Sequence, residues 1–130
     1  MDKINLCRLA ADARNSAHAP YSGFKVGAAL LCNNGKIFTG CNIENAAYGS
    51  TVCAERVAVF KAISEGVRGF TAIAIAGGDL QNGAPPCGSC RQVLAEFADD
   101  SLTVLVVKDG GESFNEYTLG ELLPSAFRLN

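Results

Sequence analysis

Between positions 4 and 17 the apolar residues Leu6, Leu9, Ala10, Ala13 and Ala17 recur every three or four positions, the stripe of an amphipathic helix that must lie on a core. Pro20 marks its limit. The period then changes. Residues 26–32 and 36–39 read as two strands joined by Asn33-Asn34-Gly35, because an Asn-Gly pair tolerates the positive φ angles of a tight hairpin turn. A loop over 40–50 follows. Residues 53–65 return to helical spacing, and with Val57, Ala58, Phe60, Ala62 and Ile63 all apolar this helix is expected to be covered on more than one side. Gly66 and Gly69 close it.

The stretch 70–76 is a near-continuous apolar run of strand length, as expected for a strand with both faces covered. A polar loop over 77–86 leads to a third helix over 88–98 and a second continuously apolar strand over 102–107. Asp109-Gly110-Gly111 is a turn, 113–117 a short edge strand, and 119–123 a helical turn stopped by Pro124. Strand and helix alternate through the middle of the chain, which predicts a layered α/β architecture. Neither a repeat nor a linker divides residues 1–130, which are expected to form a single domain.

At 130 residues and 48% hydrophobic, a chain of this size buries roughly two-thirds of its unfolded surface and needs no disulfides to fold. The net charge is −2 without a cluster of Lys or Arg, which argues against nucleic acid and against an anionic membrane surface as partners. A small, weakly charged ligand fits better. The start Met1-Asp2-Lys3-Ile4-Asn5-Leu6 lacks the pattern of a secretory signal, and later apolar runs are broken before membrane-spanning length. A soluble, cytoplasmic protein is expected, whose six cysteines are thiols or metal ligands rather than disulfides.

Three of those cysteines fall in Cys53-Ala54-Glu55 and Pro86-Cys87-Gly88-Ser89-Cys90. Three thiols and one carboxylate suit a zinc ion that activates water, because a catalytic zinc keeps its fourth position open whereas a structural one closes it with protein. Glu55 is then the proton shuttle. Both stretches open predicted helices, whose free N–H groups and dipole favour thiolate over thiol. Three thiolates leave a zinc site with net negative charge, and Arg56 is placed to donate hydrogen bonds to the sulfurs and withdraw density from them.

Two other readings compete. Cys-Gly-Ser-Cys at a helix start also suits a redox dithiol, but such a pair has no use for Cys53 and Glu55. A structural zinc would need a fourth ligand, for which Cys32 or Cys41 is a candidate. Otherwise Cys7, Cys32 and Cys41 are small buried thiols, and His18 is expected to cap a helix or lie on the surface.

Taken together, Asn42-Ile43-Glu44-Asn45-Ala46, Cys53-Ala54-Glu55-Arg56 and Pro86-Cys87-Gly88-Ser89-Cys90-Arg91-Gln92 closely resemble the cytidine deaminases that act on free nucleosides. Ala19-Pro20-Tyr21-Ser22-Gly23-Phe24 and the ending from Glu121 to Phe127 extend the likeness over nearly the whole chain. The zinc-deaminase pattern of His or Cys, Glu two residues on, and Pro-Cys-x-x-Cys appears here in its all-cysteine form.

The resemblance implies a three-layer fold with a mixed five-stranded sheet flanked by helices, one zinc per subunit held by Cys53, Cys87 and Cys90, and a homotetramer with shared active sites. It also implies hydrolysis of cytidine and deoxycytidine in pyrimidine salvage. Zinc-activated water attacks C4 while Glu55 passes a proton to ring N3 and then to the leaving amine. Asn42 and Glu44 match residues that hydrogen-bond the ribose, and the Glu44 carboxylate would repel a phosphate. Phe24 matches the aromatic against the pyrimidine, and the Ala54 N–H is expected to hold its O2. By the same likeness Ala46 and Tyr48 would approach the ribose of a neighbouring subunit's substrate, and Phe127 would reach across an interface.

One departure is Pro85, where the family usually has serine; a proline keeps the backbone C=O and loses only the N–H. Deaminases of modified or antibiotic cytosines share the cysteine pattern, although the Asn-x-Glu-Asn loop argues for a nucleoside. A polynucleotide-editing enzyme would need a basic and aromatic surface that the chain lacks. A non-catalytic zinc-stabilised binding module would have no need of Glu55. Arg91 and Gln92 are expected only to support the loop.

Overall fold

The run from Phe70 to Gly77 alternates alanine with bulky aliphatic residues, and its two faces meet different partners. A computed structural model describes residues 1–129. In it β3 (Phe70–Gly77) is the central strand of a five-stranded sheet. Its neighbours are β1 (Val26–Cys32), antiparallel, and β4 (Thr103–Lys108), parallel; β2 (Ile37–Cys41) and β5 (Ser113–Thr118) pair antiparallel at the two edges. The strand order is β2-β1-β3-β4-β5.

Ile73 and Ile75 join Leu30, Val104 and Val106 in a core closed by α2 (Ala54–Ser64) and α3 (Gly88–Phe97). Ala72, Ala74 and Ala76 face the opposite layer, where α1 (Lys3–Ala13) sets Leu6, Cys7 and Ala10 on them. Small side chains let that helix lie close: a Cβ on Gly27 of β1 would come within 2.0 Å of the Ala10 carbonyl oxygen. The three-layer, mixed-sheet expectation is borne out.

Several boundaries differ from the expectation, each for a local reason. Helix α1, capped by the Asp2 carboxylate accepting from the Asn5 N–H at 2.9 Å, stops at Ala13 and tightens into a 3₁₀ turn over Arg14–Ser16 rather than running to residue 17. The hairpin uses a three-residue turn in which Gly35, and not Asn34, takes the positive φ, so its second strand is Ile37–Cys41 rather than 36–39. Helix α2 does end at Gly66 (φ 82°) in a paired cap, with Val67 N–H on Ala62 O and Gly66 N–H on Ile63 O. The 77–86 loop is less polar in place than in sequence, because Leu80 and Pro86 are buried. Phe60 remains 47% exposed, so part of the outer side of α2 is uncovered in this chain. Helix α4 (Leu119–Leu122) is the predicted helical turn.

Candidate active site

Within one helix, residues two apart point to different sides; Cys53 and Glu55 nevertheless share a cleft because the helix begins between them. Cys53 is the N-cap of α2 with extended backbone, and Glu55 lies in the first turn. Cys87 is likewise the N-cap of α3, and the backbone N–H of Cys90 donates to its sulfur at 3.4 Å. The Cys-x-x-Cys spacing is therefore that of an N-cap and the third helical residue, which share a side.

The three sulfurs converge. Cys53 and Cys87 Sγ are 3.9 Å apart, Cys87 and Cys90 Sγ 3.4 Å, and all three lie within 4.8 Å of one another. Zinc–sulfur bonds of about 2.3 Å in a tetrahedron require sulfurs about 3.8 Å apart, so the cluster could hold zinc with one position free. Cys32 is buried in the core, Cys41 is on β2, and neither joins the cluster, so no fourth thiol closes it. The Arg56 guanidinium donates to Cys53 Sγ at 3.4 Å. Its Nε is buried without a partner among the described residues.

Charge is distributed unevenly over the thiols. Cys53 is held well below the ordinary thiol range by the Cys90 S–H donating to it, helped by Arg56 and Cys87. Cys90 is pushed up as the proton-bearing partner of that pair and by burial. Glu55 is only 5% exposed, and burial followed by the Cys53 charge raises its carboxyl above the ordinary range.

Beside the sulfurs lies a cleft of about 200 Å³ whose lining includes Phe24, Asn42, Ala54, Glu55, Pro85 and Cys87. That is smaller than the roughly 300–1,000 Å³ of pockets for drug-sized ligands and suits one heterocycle. Asn42 is buried, with Oδ1 accepting from Val26 N–H and Nδ2 donating to the Phe24 carbonyl, both at 2.8 Å. Phe24, half-exposed, lies over Gly77 and Gly78, where any Cβ would press on its ring. The Ala54 N–H is in the first turn of α2, where the helix offers no acceptor.

Next to the cleft a second cavity of about 380 Å³ is lined by Tyr21, Ser22, Glu44, Tyr48 and Thr51. The Glu44 carboxylate accepts from the Tyr21 and Ser22 N–H groups at 3.0 and 3.1 Å and from the Ser22 hydroxyl. These bonds, the hydroxyl foremost, and nearby His18 hold it below the ordinary carboxylate range. Tyr21 and Tyr48 meet edge to face with centroids 6.2 Å apart. Ala46 and Phe127 are exposed and line neither cavity in this chain.

Some contributors escaped the sequence reading. His18, expected at a helix end or on the surface, is exposed but bridges the Glu44 loop, giving its N–H to Asn42 O and taking the Glu44 N–H. Arg91 supports the loop as expected, donating to Pro86 O at 2.8 Å, but it also donates to Leu122 O at 2.7 Å, and Gln92 holds Phe127 O at 2.9 Å. They lash the C-terminal segment to the helix that carries Cys87 and Cys90. Thr51 lines both cavities. Apart from that of Arg91 with Pro86, none of these contacts has a local sequence signal.

Three thiols, an open fourth position and a buried carboxylate in a heterocycle-sized cleft define a zinc-dependent hydrolytic site. Family comparison narrows the class: residues 1–106 match the cytidine and deoxycytidylate deaminase zinc-binding region. A cytidine deaminase of Sporosarcina psychrophila is 50% identical over 127 residues, covering 98% of this chain and 92% of the relative. The crystal structure of a Burkholderia pseudomallei cytidine deaminase superposes with TM-score 0.91 at 46% identity over 98% of this chain and 100% of that one. The Mycobacterium tuberculosis cytidine deaminase structure gives 0.84 at 41%, over 99% of each chain. The chain belongs to the cytidine and deoxycytidylate deaminase family.

Proposed function

We propose that the protein hydrolyses the 4-amino group of cytidine and deoxycytidine, so that the oxygen of water joins C4, ammonia leaves and the uridine nucleoside remains. The observation that carries this reading is the buried Glu55 carboxyl beside three converging sulfurs at the wall of a cleft sized for one heterocycle. Zinc, when bound to Cys53, Cys87 and Cys90, supplies the Lewis acidity that makes water a nucleophile at neutral pH. Glu55 takes a proton from that water and delivers it to ring N3, then takes the second from the new C4 hydroxyl and passes it to the departing amine, leaving a carbonyl at C4. Phe24 packs on the ring, and the Ala54 N–H holds O2.

The sugar lies where the cleft, walled by Asn42, opens into the adjoining cavity, walled by Glu44. Asn42, with one amide hydrogen unused by its two bonds, and Glu44, with lone pairs left over, bind its hydroxyls. Glu44 is held ionised by its donors, which disfavours a phosphate in the same place and so favours nucleoside over nucleotide. Arg56 withdraws density from the thiolates.

Residues 1–130 act as one domain, and four copies complete each other's sites. The exposed Phe60, Tyr48 and Phe127 support that assembly, since they leave apolar area for another copy to cover; through it Ala46, Tyr48 and Phe127 reach a neighbour's substrate. Three of the six cysteines serve as zinc ligands and the other three stand as thiols, as suits a cytoplasmic protein. No described helix is long and apolar enough to cross a membrane.

Substituting Glu55→Gln preserves volume and hydrogen bonding while removing proton transfer. The variant is expected to keep wild-type zinc content and lose about 10²–10⁴ of its turnover on cytidine. Near-normal turnover would contradict the role given to Glu55.

A further inference from the structure

The cleft beside the sulfurs and the cavity beside Glu44 have one lining residue in common, Thr51. A nucleoside with its base in the first and its sugar reaching into the second must carry its glycosidic bond past that residue. The sugar oxygens next to that bond are the ring oxygen and the 2′-hydroxyl. Thr51 is held firmly there. Its N–H donates to Tyr48 O at 3.1 Å, and the next residue, Val52, exchanges both backbone hydrogen bonds with Ile43 at 2.9 and 3.0 Å. Its hydroxyl oxygen accepts from the Asn45 N–H at 3.2 Å, which orients it. The hydroxyl proton has no acceptor among the described residues.

Resting on the nucleoside reading above, we infer that Thr51 is a specificity-determining residue whose hydroxyl donates to a sugar oxygen beside the glycosidic bond. Glu44 and Asn42 then engage the sugar's remaining hydroxyls while Thr51 reports on the bond between sugar and base. The contact is made in substrate and transition state alike, so its loss falls mainly on KM.

The test compares zinc-loaded wild-type, Thr51→Val, Thr51→Ala and Thr51→Ser enzymes on cytidine, 2′-deoxycytidine and carbocyclic cytidine, whose ring oxygen is a methylene. Asn45 is exposed, so water can replace the acceptor that the Val and Ala variants lose. Zinc content and melting temperature are measured on each. The Val and Ala variants should keep their zinc and lose about five- to tenfold in kcat/KM on cytidine, with the Ser variant within about twofold of wild type. The penalty should shrink below about twofold on whichever substrate lacks the contacted oxygen. Should Thr51→Val fold poorly, Thr51→Ala decides. An equal penalty on all three nucleosides, or none on cytidine, would overturn the inference while leaving the nucleoside reading intact. A wild-type enzyme inactive on all three would instead overturn the reading, and the inference with it.

Discussion

Cys7 and Cys53 carry the same side chain in opposite electrostatic settings. Cys53 sits at a helix start with Cys90, Arg56 and Cys87 donating to it and is driven toward thiolate. Cys7, 3% exposed among Leu6, Ala10 and the alanines of β3, has no such donors, and burial pushes its thiol up to about 11 from an ordinary 9.0. Unfolding frees Cys7 to ionise at the lower value. The folded state's advantage is therefore complete below pH 9 and declines as pH rises toward 11, by at most roughly 2–3 kcal/mol. Cys7→Ala should accordingly show a shallower fall in melting temperature between those pH values than the wild type. Parallel curves would mean that Cys7 ionises as easily folded as unfolded.

At the scale of elements, the site depends on how closely α2 approaches β2. Gly40 on β2 faces the first turns of α2, where a Cβ would lie 2.5 Å from Ala54 O and 2.6 Å from Ala58 N. A methyl group there has to push away the helix that carries Cys53 and Glu55. Gly40→Ala is expected to cost about 1–3 kcal/mol of stability and to weaken zinc retention against a chelator. Gly49→Ala, which meets nothing within 4 Å, should leave stability near wild type. A Gly40→Ala protein with wild-type melting temperature and zinc affinity would contradict this tight seating.

The same element scale explains what could be read without coordinates. The apolar strands, the helix starts at the two cysteine motifs and the edge strand were legible because period and helix-start chemistry act over a few residues. The Asn-Gly pair signalled a turn, but not that Gly35 alone would take the positive φ. The contacts of His18 with the Glu44 loop and of Arg91 with Leu122 were illegible. Each joins a side chain or backbone group to a carbonyl or N–H distant in sequence, and any residue could supply such a backbone partner. For the candidate site, the three thiols, Glu55 and Arg56 were anticipated, whereas the sharing of Thr51 between two cavities appears only in three dimensions.

Across the whole molecule, function depends on bringing distant segments to one end of the sheet. The loop before β1 brings Phe24, the segment after β2 brings Asn42 and Glu44, and the starts of α2 and α3 bring the sulfurs and Glu55. The α3 start follows β3 and precedes its parallel neighbour β4, so the cleft opens beyond the carboxyl end of β3, a recurrent location for ligand sites in α/β sheets. The most direct test of the central claim is ammonia release from cytidine, cytidine monophosphate and single-stranded DNA by protein of verified zinc content. Turnover of cytidine, with the monophosphate and the DNA left intact, is the predicted result. Zinc-loaded protein that releases no ammonia from cytidine would contradict the account.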